Sequence, residues 1–208
     1  MKTGYRAADN VYRIICVAVL TIALAGAGCQ ESPPEQGNNA DISYNGPRGC
    51  ISGNCTDGRG IFVEQDGERY EGEWKNRKRH GVGTAFWPDG STYVGQWNSD
   101  QATGKGIYVK SSGEKYEGDW VKGKRHGRGK STWPDGSMYA GDFNNDRAEG
   151  LGEFRDAGGV VYKGEFMMGK AHGSGILTTP DGKSFRRTWE NGKPVGAKGP
   201  GTTNSGER

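Results

Sequence analysis

The sequence predicts an all-β protein: one elongated antiparallel sheet of consecutive 23-residue β-hairpins, flanked by an unstructured tether and an unstructured tail. Three observations lead there. The chain is rich in glycine, with 38 in 208 residues, while aromatic residues make up 10%. Glycine weakens a helix interior by about 1 kcal/mol each, so this composition disfavours helices. Tyr70, Tyr93, Tyr116, Tyr139, Tyr162 and Phe185 recur every 23 residues without one insertion. Within each unit, large and small residues alternate with the two-residue period of a strand. The formal net charge of only +3 provides no strong basic field, so nucleic acid is not an expected partner.

Taken in order, residues 1–28 read as a leader. Lys2, Arg6 and Arg13 precede the apolar run Ile14 to Leu24, which fades into small residues before Cys29. This is the form of a secretory signal; a short anchor that is never cleaved is the competing reading. LAGAGCQ resembles a bacterial lipoprotein signal, which implies that Cys29 carries acyl chains and tethers the protein to a membrane. The usual leucine three residues before the cysteine is replaced here by Gly26. By the same resemblance, Gln30 rather than Asp after the cysteine points to the outer membrane of a bacterial cell envelope. Loss of the leader removes three basic residues and one acidic one, leaving 25 Lys+Arg against 24 Asp+Glu.

Residues 29–47 are rich in Pro, Gly, Asn and acids and form a flexible tether. Residues 48–69 read as an N-terminal half-repeat cap. Gly58, Gly60 and Gly67 stand one step before Gly81, Gly83 and Gly90, but Pro47 and Ile51 occupy the tyrosine and tryptophan slots. Cys50 and Cys55 are expected to pair as a disulfide in an exported protein, a reduced buried pair being the alternative. Such a bridge would pin the cap.

Five units then fill residues 70–184. Their repeat positions are Tyr70, Gly72 and Trp74; Tyr93, Gly95 and Trp97; Tyr116, Gly118 and Trp120; Tyr139, Gly141 and Phe143; and Tyr162, Gly164 and Phe166. In a strand, Tyr70, Gly72 and Trp74 share one face, while Glu71 and Glu73 are expected to face water. The second half of the unit, from Gly81 to Trp87, again places two glycines, Gly81 and Gly83, on one face. Glycine between large rings leaves a hole that a neighbouring ring can cover. Pro88-Asp89-Gly90 is a strong turn signal that returns the chain. One hairpin buries too little to fold alone, so the units must stack side by side. Residues 185–196 start a sixth, partial unit whose glycine slot holds Arg187, and 197–208 form the tail.

The pattern Y-x-G-x-[WF]-x6-G-x-G, in five phased copies, closely resembles the MORN repeat (membrane occupation and recognition nexus). That resemblance implies a β-hairpin array working through protein–protein contacts or self-association, and a contested capacity for phospholipid. MORN arrays are often joined to catalytic domains, but no segment outside this array is long enough to be one. No metal motif, phosphate loop or nucleophile elbow is present; His172-Gly173-Ser174-Gly175 lacks the G-x-S-x-G spacing. Neither enzymatic activity nor a cofactor or metal is expected. His80, His126 and His172 are 46 residues apart, hence about 19 Å at about 4.8 Å per strand. That is too far to share one metal, and a structural role fits them better.

The same 46-residue step appears in charge. Odd units carry basic bends, with Lys75, Arg77, Lys78 and Arg79 in the first, Lys122, Lys124 and Arg125 in the second and, more weakly, Lys170 in the third. Even units carry Asp100, Asp146 and Glu149 there instead. Two readings follow. Such a comb suits anionic headgroups of phospholipid or lipopolysaccharide; alternatively it is a solvated edge charged against strand pairing. Trp87 and Trp133 recur only in odd units, and either line a groove or complete the core. The leading expectation is a lipid-anchored, non-catalytic scaffold for an unknown protein partner. Headgroup binding through six of these basic residues, Arg77, Lys78, Arg79, Lys122, Lys124 and Arg125, is its alternative, and a cell-wall ligand or adhesin role is a third.

Overall fold

A computed structural model describes residues 48–195. The leader, Cys29, the tether and the tail lie outside them. The described residues form one 14-stranded sheet in which every strand pairs antiparallel with its sequence neighbours. A hairpin of β1 (Gly49–Gly53) and β2 (Gly58–Val63) opens it. β3 (Arg69–Lys75) and β4 (Lys78–Phe86) follow, then β5 (Thr92–Asn98) and β6 (Gln101–Val109). Next come β7 (Lys115–Val121), β8 (Lys124–Thr132), β9 (Met138–Asn144) and β10 (Arg147–Arg155). β11 (Val161–Met167), β12 (Lys170–Thr178), β13 (Ser184–Glu190) and β14 (Lys193–Val195) complete it.

Two kinds of turn alternate. Each repeat hairpin closes on two residues that both have positive φ, as at Asn76-Arg77, Asn145-Asp146 and Asn191-Gly192. This is the turn whose twist matches that of the flanking strands. On the opposite edge, Trp87 and Ser91 face each other across Pro88-Asp89-Gly90. The Trp87 N–H donates to the Ser91 carbonyl and the Gly90 N–H to the Trp87 carbonyl. Gly90 takes φ +86°, and the Ser91 N–H donates to Asp89 Oδ1 at 2.8 Å. All two-residue bends therefore share one edge of the sheet. They are tied in series: the Asp100 N–H donates to the Arg79 carbonyl, and Gly123 does the same to Ala102.

The core is one face of a single layer. In register, Gly60, Gly72, Gly83, Gly95, Gly106 and Gly118 lie side by side across six strands. The line continues through Gly129, Gly141, Gly152, Gly164 and Gly175 until it meets Arg187. Each tyrosine ring folds over two of these glycines. A Cβ on Gly152 would stand 2.5–2.7 Å from the Tyr139 ring and hydroxyl. The hydroxyl reaches back to its own strand, Tyr139 Oη donating to the Asp142 carbonyl at 2.9 Å. Trp74, Trp97 and Trp120 pack edge-on to these rings, and each Nε1 donates to a glycine carbonyl 14 residues earlier. From Phe62 to Trp189 the rings form one continuous chain of contacts, with centroids 4.8–5.7 Å apart. Trp87 and Trp133 extend the same face by packing on Tyr108 and Phe154.

Two sequence expectations need correction here. Gly81 does not share the role of Gly83. It sits at φ +57° in a bulge where Gly81 and Val82 have no partner on β3. Glu73 does not simply face water either: its Oε1 accepts from the Val82 N–H at 3.3 Å, closing that bulge. Gln96, Asp119, Asp142 and Glu165 do the same in the later units.

Candidate functional site

The side chains with chemistry to offer lie along the bend edge and at the cap. Arg77 occupies a turn position with φ +60°, and its guanidinium has no partner among the described residues. Lys78, Lys122 and Lys124 are exposed beside it and in the next odd bend. Arg79 and Arg125 are placed differently. Strand alternation turns them onto the aromatic face, where their side chains are only 22% and 25% exposed. Arg79 lies 4.4 Å over the Trp97 ring and pairs with Glu68 and Asp100. Arg125 sits over Tyr116 and Phe143 and pairs with Glu114 and Asp146. Of the six basic residues singled out from sequence, the structure thus leaves four outward and folds two into internal ion pairs.

These pairs explain the 46-residue charge period. Glu68, Arg79 and Asp100 recur as Glu114, Arg125 and Asp146. One further step on, all three are neutral together: Val160, Ala171 and Gly192. Even units carry Ser91, Ala102 and Gly123, then Ser137, Ala148 and Gly169. Asp100 and Asp146 of the even bends are therefore counter-charges for the arginines of the odd ones, whereas Glu149 Oε2 accepts from the Met168 N–H at 3.0 Å. The bulge-closing acceptors had escaped sequence reasoning as well. Their signal was available: Glu, Gln, Asp, Asp and Glu at a 23-residue step, never an apolar residue.

Burial dominates the protonation of the core. It pushes the Tyr70, Tyr93 and Tyr116 hydroxyls far above their ordinary range, and Tyr139 up to about 12. Tyr162 is raised for the same reason. Asp135 is held below its ordinary value by hydrogen bonds from Ser137 in its turn. No three His, Cys, Asp or Glu side chains converge for a metal among the described residues. His172 Nδ1 is buried without a hydrogen-bond partner.

At the cap, Cys50 and Cys55 are joined by a disulfide, with their Cα atoms 5.9 Å apart. The Cys55 sulfur stands over Gly60, where a Cβ would meet it at 2.7 Å. In the repeats that seat belongs to a tyrosine ring. A cleft of about 760 Å³ opens beside the bridge, between its loop and the rings of Phe62, Tyr70 and Trp74.

A family model for the MORN repeat matches residues 70–92, 93–115, 116–138, 139–161 and 162–184. The chain belongs to the MORN repeat family. The matched segments have the same phase as the tyrosine–glycine–aromatic slots, so each MORN repeat here is one hairpin with its glycine pair under a ring. No curated protein sequence matches the chain. Among solved structures, it is similar to the TCP domain of Drosophila melanogaster SAS-4 in complex with a proline-rich motif of Ana2. That likeness has a TM-score of 0.37 and 15% identity, covering 76% of this chain and 99% of the other. It is also similar to a streptogramin B lyase, with TM-score 0.18, 12% identity and coverage of 67% and 57%.

Proposed function

We propose that this MORN chain is a non-catalytic scaffold of a bacterial cell envelope, tethered through lipidated Cys29 and holding a protein partner on its repeat sheet. The supporting observation is the single-layer architecture. Fourteen strands present two broad faces, and among the described residues nothing forms a second layer over either. The groups with displaced protonation are tyrosines buried for packing and aspartates fixed in turns, which is structural work rather than proton transfer. Exposed Leu151 and Met168, each 66% accessible, offer apolar contacts that the monomer leaves unused.

Whole-cell labelling with a palmitate analogue tests the tether: label is expected on the wild-type chain and none on Cys29→Ser. A photo-crosslinker at position 151 tests the scaffold, with one discrete protein adduct expected. A chain labelled at Cys29 that yields no adduct from position 151 or 168 would remove the protein-partner reading.

The exposed Arg77, Lys78, Lys122 and Lys124 favour a second reading, attraction to anionic headgroups. Flotation of residues 30–208 with anionic vesicles separates the two. Binding that fades with salt and is lost when these four become Ser would establish the headgroup reading. Absence of flotation would leave the scaffold reading.

A further inference from the structure

The repeat array treats every aromatic pair alike except the first. Trp97 and Trp120 are 5% and 8% exposed, because a neighbouring unit covers each. Trp74 has Tyr70 on one side at 4.9 Å, but on the other only Phe62, tilted by 53° at 5.7 Å. Both Trp74 and Phe62 remain half-open. The cause lies in the cap. Gly60 begins the glycine line, yet the tyrosine that would lie over it is missing, since that slot is Pro47. The Cys50–Cys55 bridge takes the seat instead and covers the glycine with one sulfur. A bridge is thinner than a phenol ring, and the difference is the cleft. Its size falls within the range of small-ligand sites, about 300–1,000 Å³.

The rim decides what enters. Arg77 and Arg79 contribute two positive charges to the lining, and Glu64, Glu68 and Asp100 three negative ones. A polyanion would meet a net negative wall, and a cation would meet the unpaired guanidinium of Arg77. Neutral ligands escape both objections. Beside the aromatic rings the lining supplies both donors and acceptors: the Arg77 guanidinium donates, the Glu64 carboxylate accepts, and Asn54 has its amide N–H groups to donate, its Oδ1 being held by the Thr56 and Asp57 N–H groups. An apolar floor with a rim of mixed donors and acceptors is complementary to a sugar ring, whose C–H face is apolar and whose hydroxyls both donate and accept.

We propose that the disulfide-capped cleft over Trp74 and Phe62 binds a neutral oligosaccharide, the aromatic rings taking the sugar face and Arg77 and Glu64 its hydroxyl or acetamido groups. This site needs no protein partner on the sheet and stands apart from the scaffold reading.

The test is calorimetric titration of the full chain, held in a detergent without a sugar headgroup. Chitotetraose is the neutral probe and a sulfated heparin disaccharide the anionic one. Two variants preserve the fold by copying residues that the array itself uses. Trp74→Phe installs the residue found at Phe143 and Phe166, and Arg77→Gly the one found at Gly123 in the same turn. Chitotetraose is expected to bind, and each variant to weaken it about tenfold, equivalent to about 1.4 kcal/mol. Lys122→Asn, in the next odd bend, should leave it unchanged, and the sulfated disaccharide should not bind. Reduction of the bridge should weaken binding as well. The proposal is overturned if chitotetraose fails to bind the wild-type chain, if both cleft variants bind it normally, or if the sulfated disaccharide is preferred.

Discussion

The glycine line makes a prediction with a built-in control. Gly152 has an ordinary extended backbone, so alanine is conformationally acceptable there and by itself should stabilise by about 0.4–1 kcal/mol. The Cβ would nevertheless lie 2.5 Å from Tyr139 Oη and 2.6 Å from its ring edge, closer than real Cβ contacts come. Nor can the backbone on the other side yield, because Gly141 is paired directly opposite. Tyr139 must therefore lift. It is 3% exposed, donates to the Asp142 carbonyl, and packs on Phe143 and Phe166 at 5.1 and 4.8 Å. Overpacking of this kind costs about 1–3 kcal/mol, and partial loss of a buried ring raises that toward the about 3–5 kcal/mol of full truncation. Net of the entropic gain, Gly152→Ala is expected to destabilise by about 2–3 kcal/mol.

The assay is urea unfolding followed by tryptophan fluorescence, run as a cycle with Tyr139→Leu, whose shorter side chain does not reach across the glycines. In that background Gly152→Ala should be neutral or slightly stabilising, giving a coupling of about 2 kcal/mol. Additive losses in the two variants would refute the claim that the glycine exists to seat the ring.

Other expectations follow from the same contacts. Arg79→Ala alone strands Glu68 and Asp100 beside the rings and should cost about 1–2 kcal/mol in urea unfolding. The triple change Glu68→Val, Arg79→Ala, Asp100→Gly reproduces Val160, Ala171 and Gly192 and should recover most of that loss. Stability should fall in alkali. Tyr139 ionises near 10 when unfolded and near 12 when folded, so its contribution is complete below pH 10 and is lost as pH rises through 12. Thermal unfolding at pH 9 and pH 11 checks this, and Tyr139→Phe should reduce the difference by that residue's share while Tyr70, Tyr93, Tyr116 and Tyr162, raised by the same burial, keep theirs. Met168 sits at φ +51° in a bend where Asn145 and Asn191 occupy the same position, so Met168→Asn should raise the melting temperature by a few degrees, corresponding to about 0.5–1 kcal/mol.

How far the sequence could be read depended on whether a residue's role was local. The tyrosine, glycine and tryptophan slots announce themselves because each repeats with strand alternation, and the ring-over-glycine packing follows from their sizes. The Pro88-Asp89-Gly90 turn is equally legible. Glu73 was not, because its partner is a backbone N–H inside a bulge, and the bulge becomes visible only when Gly72 is set opposite Gly83 and Glu73 opposite His80. The Asn191-Gly192 pair carried the strongest signal for the two-residue turns, while Asn76-Arg77 adopts the same shape with no glycine at all. Lys78 and Arg79 are adjacent in sequence and identical in charge, yet alternation sends one to water and the other onto Trp97.

That last pair changes what a partner meets. Read as text, the first two odd bends are clusters of three cations; in the folded sheet the third cation of each is cancelled by one acid from the preceding unit and one from the next. The array therefore repeats chemically every two hairpins, about 19 Å, although it repeats sterically every one. A ligand spanning a single hairpin would meet different charge at successive positions, whereas one spanning two would meet two outward cations at each odd bend, Arg77 and Lys78 and then Lys122 and Lys124. The third copy breaks this rhythm in a coordinated way: the acids and the arginine disappear together and Met167-Met168 takes over the bend. Loss of an isolated surface charge would need no such coordination. Simultaneous loss is what a self-contained ion-pair network requires, since the arginine or the glutamate left alone would stand unpaired in a partly buried place, although the aspartate reaches water. The basic bends are thus first a means of joining hairpins, and only the residues that alternation turns outward are free for a partner.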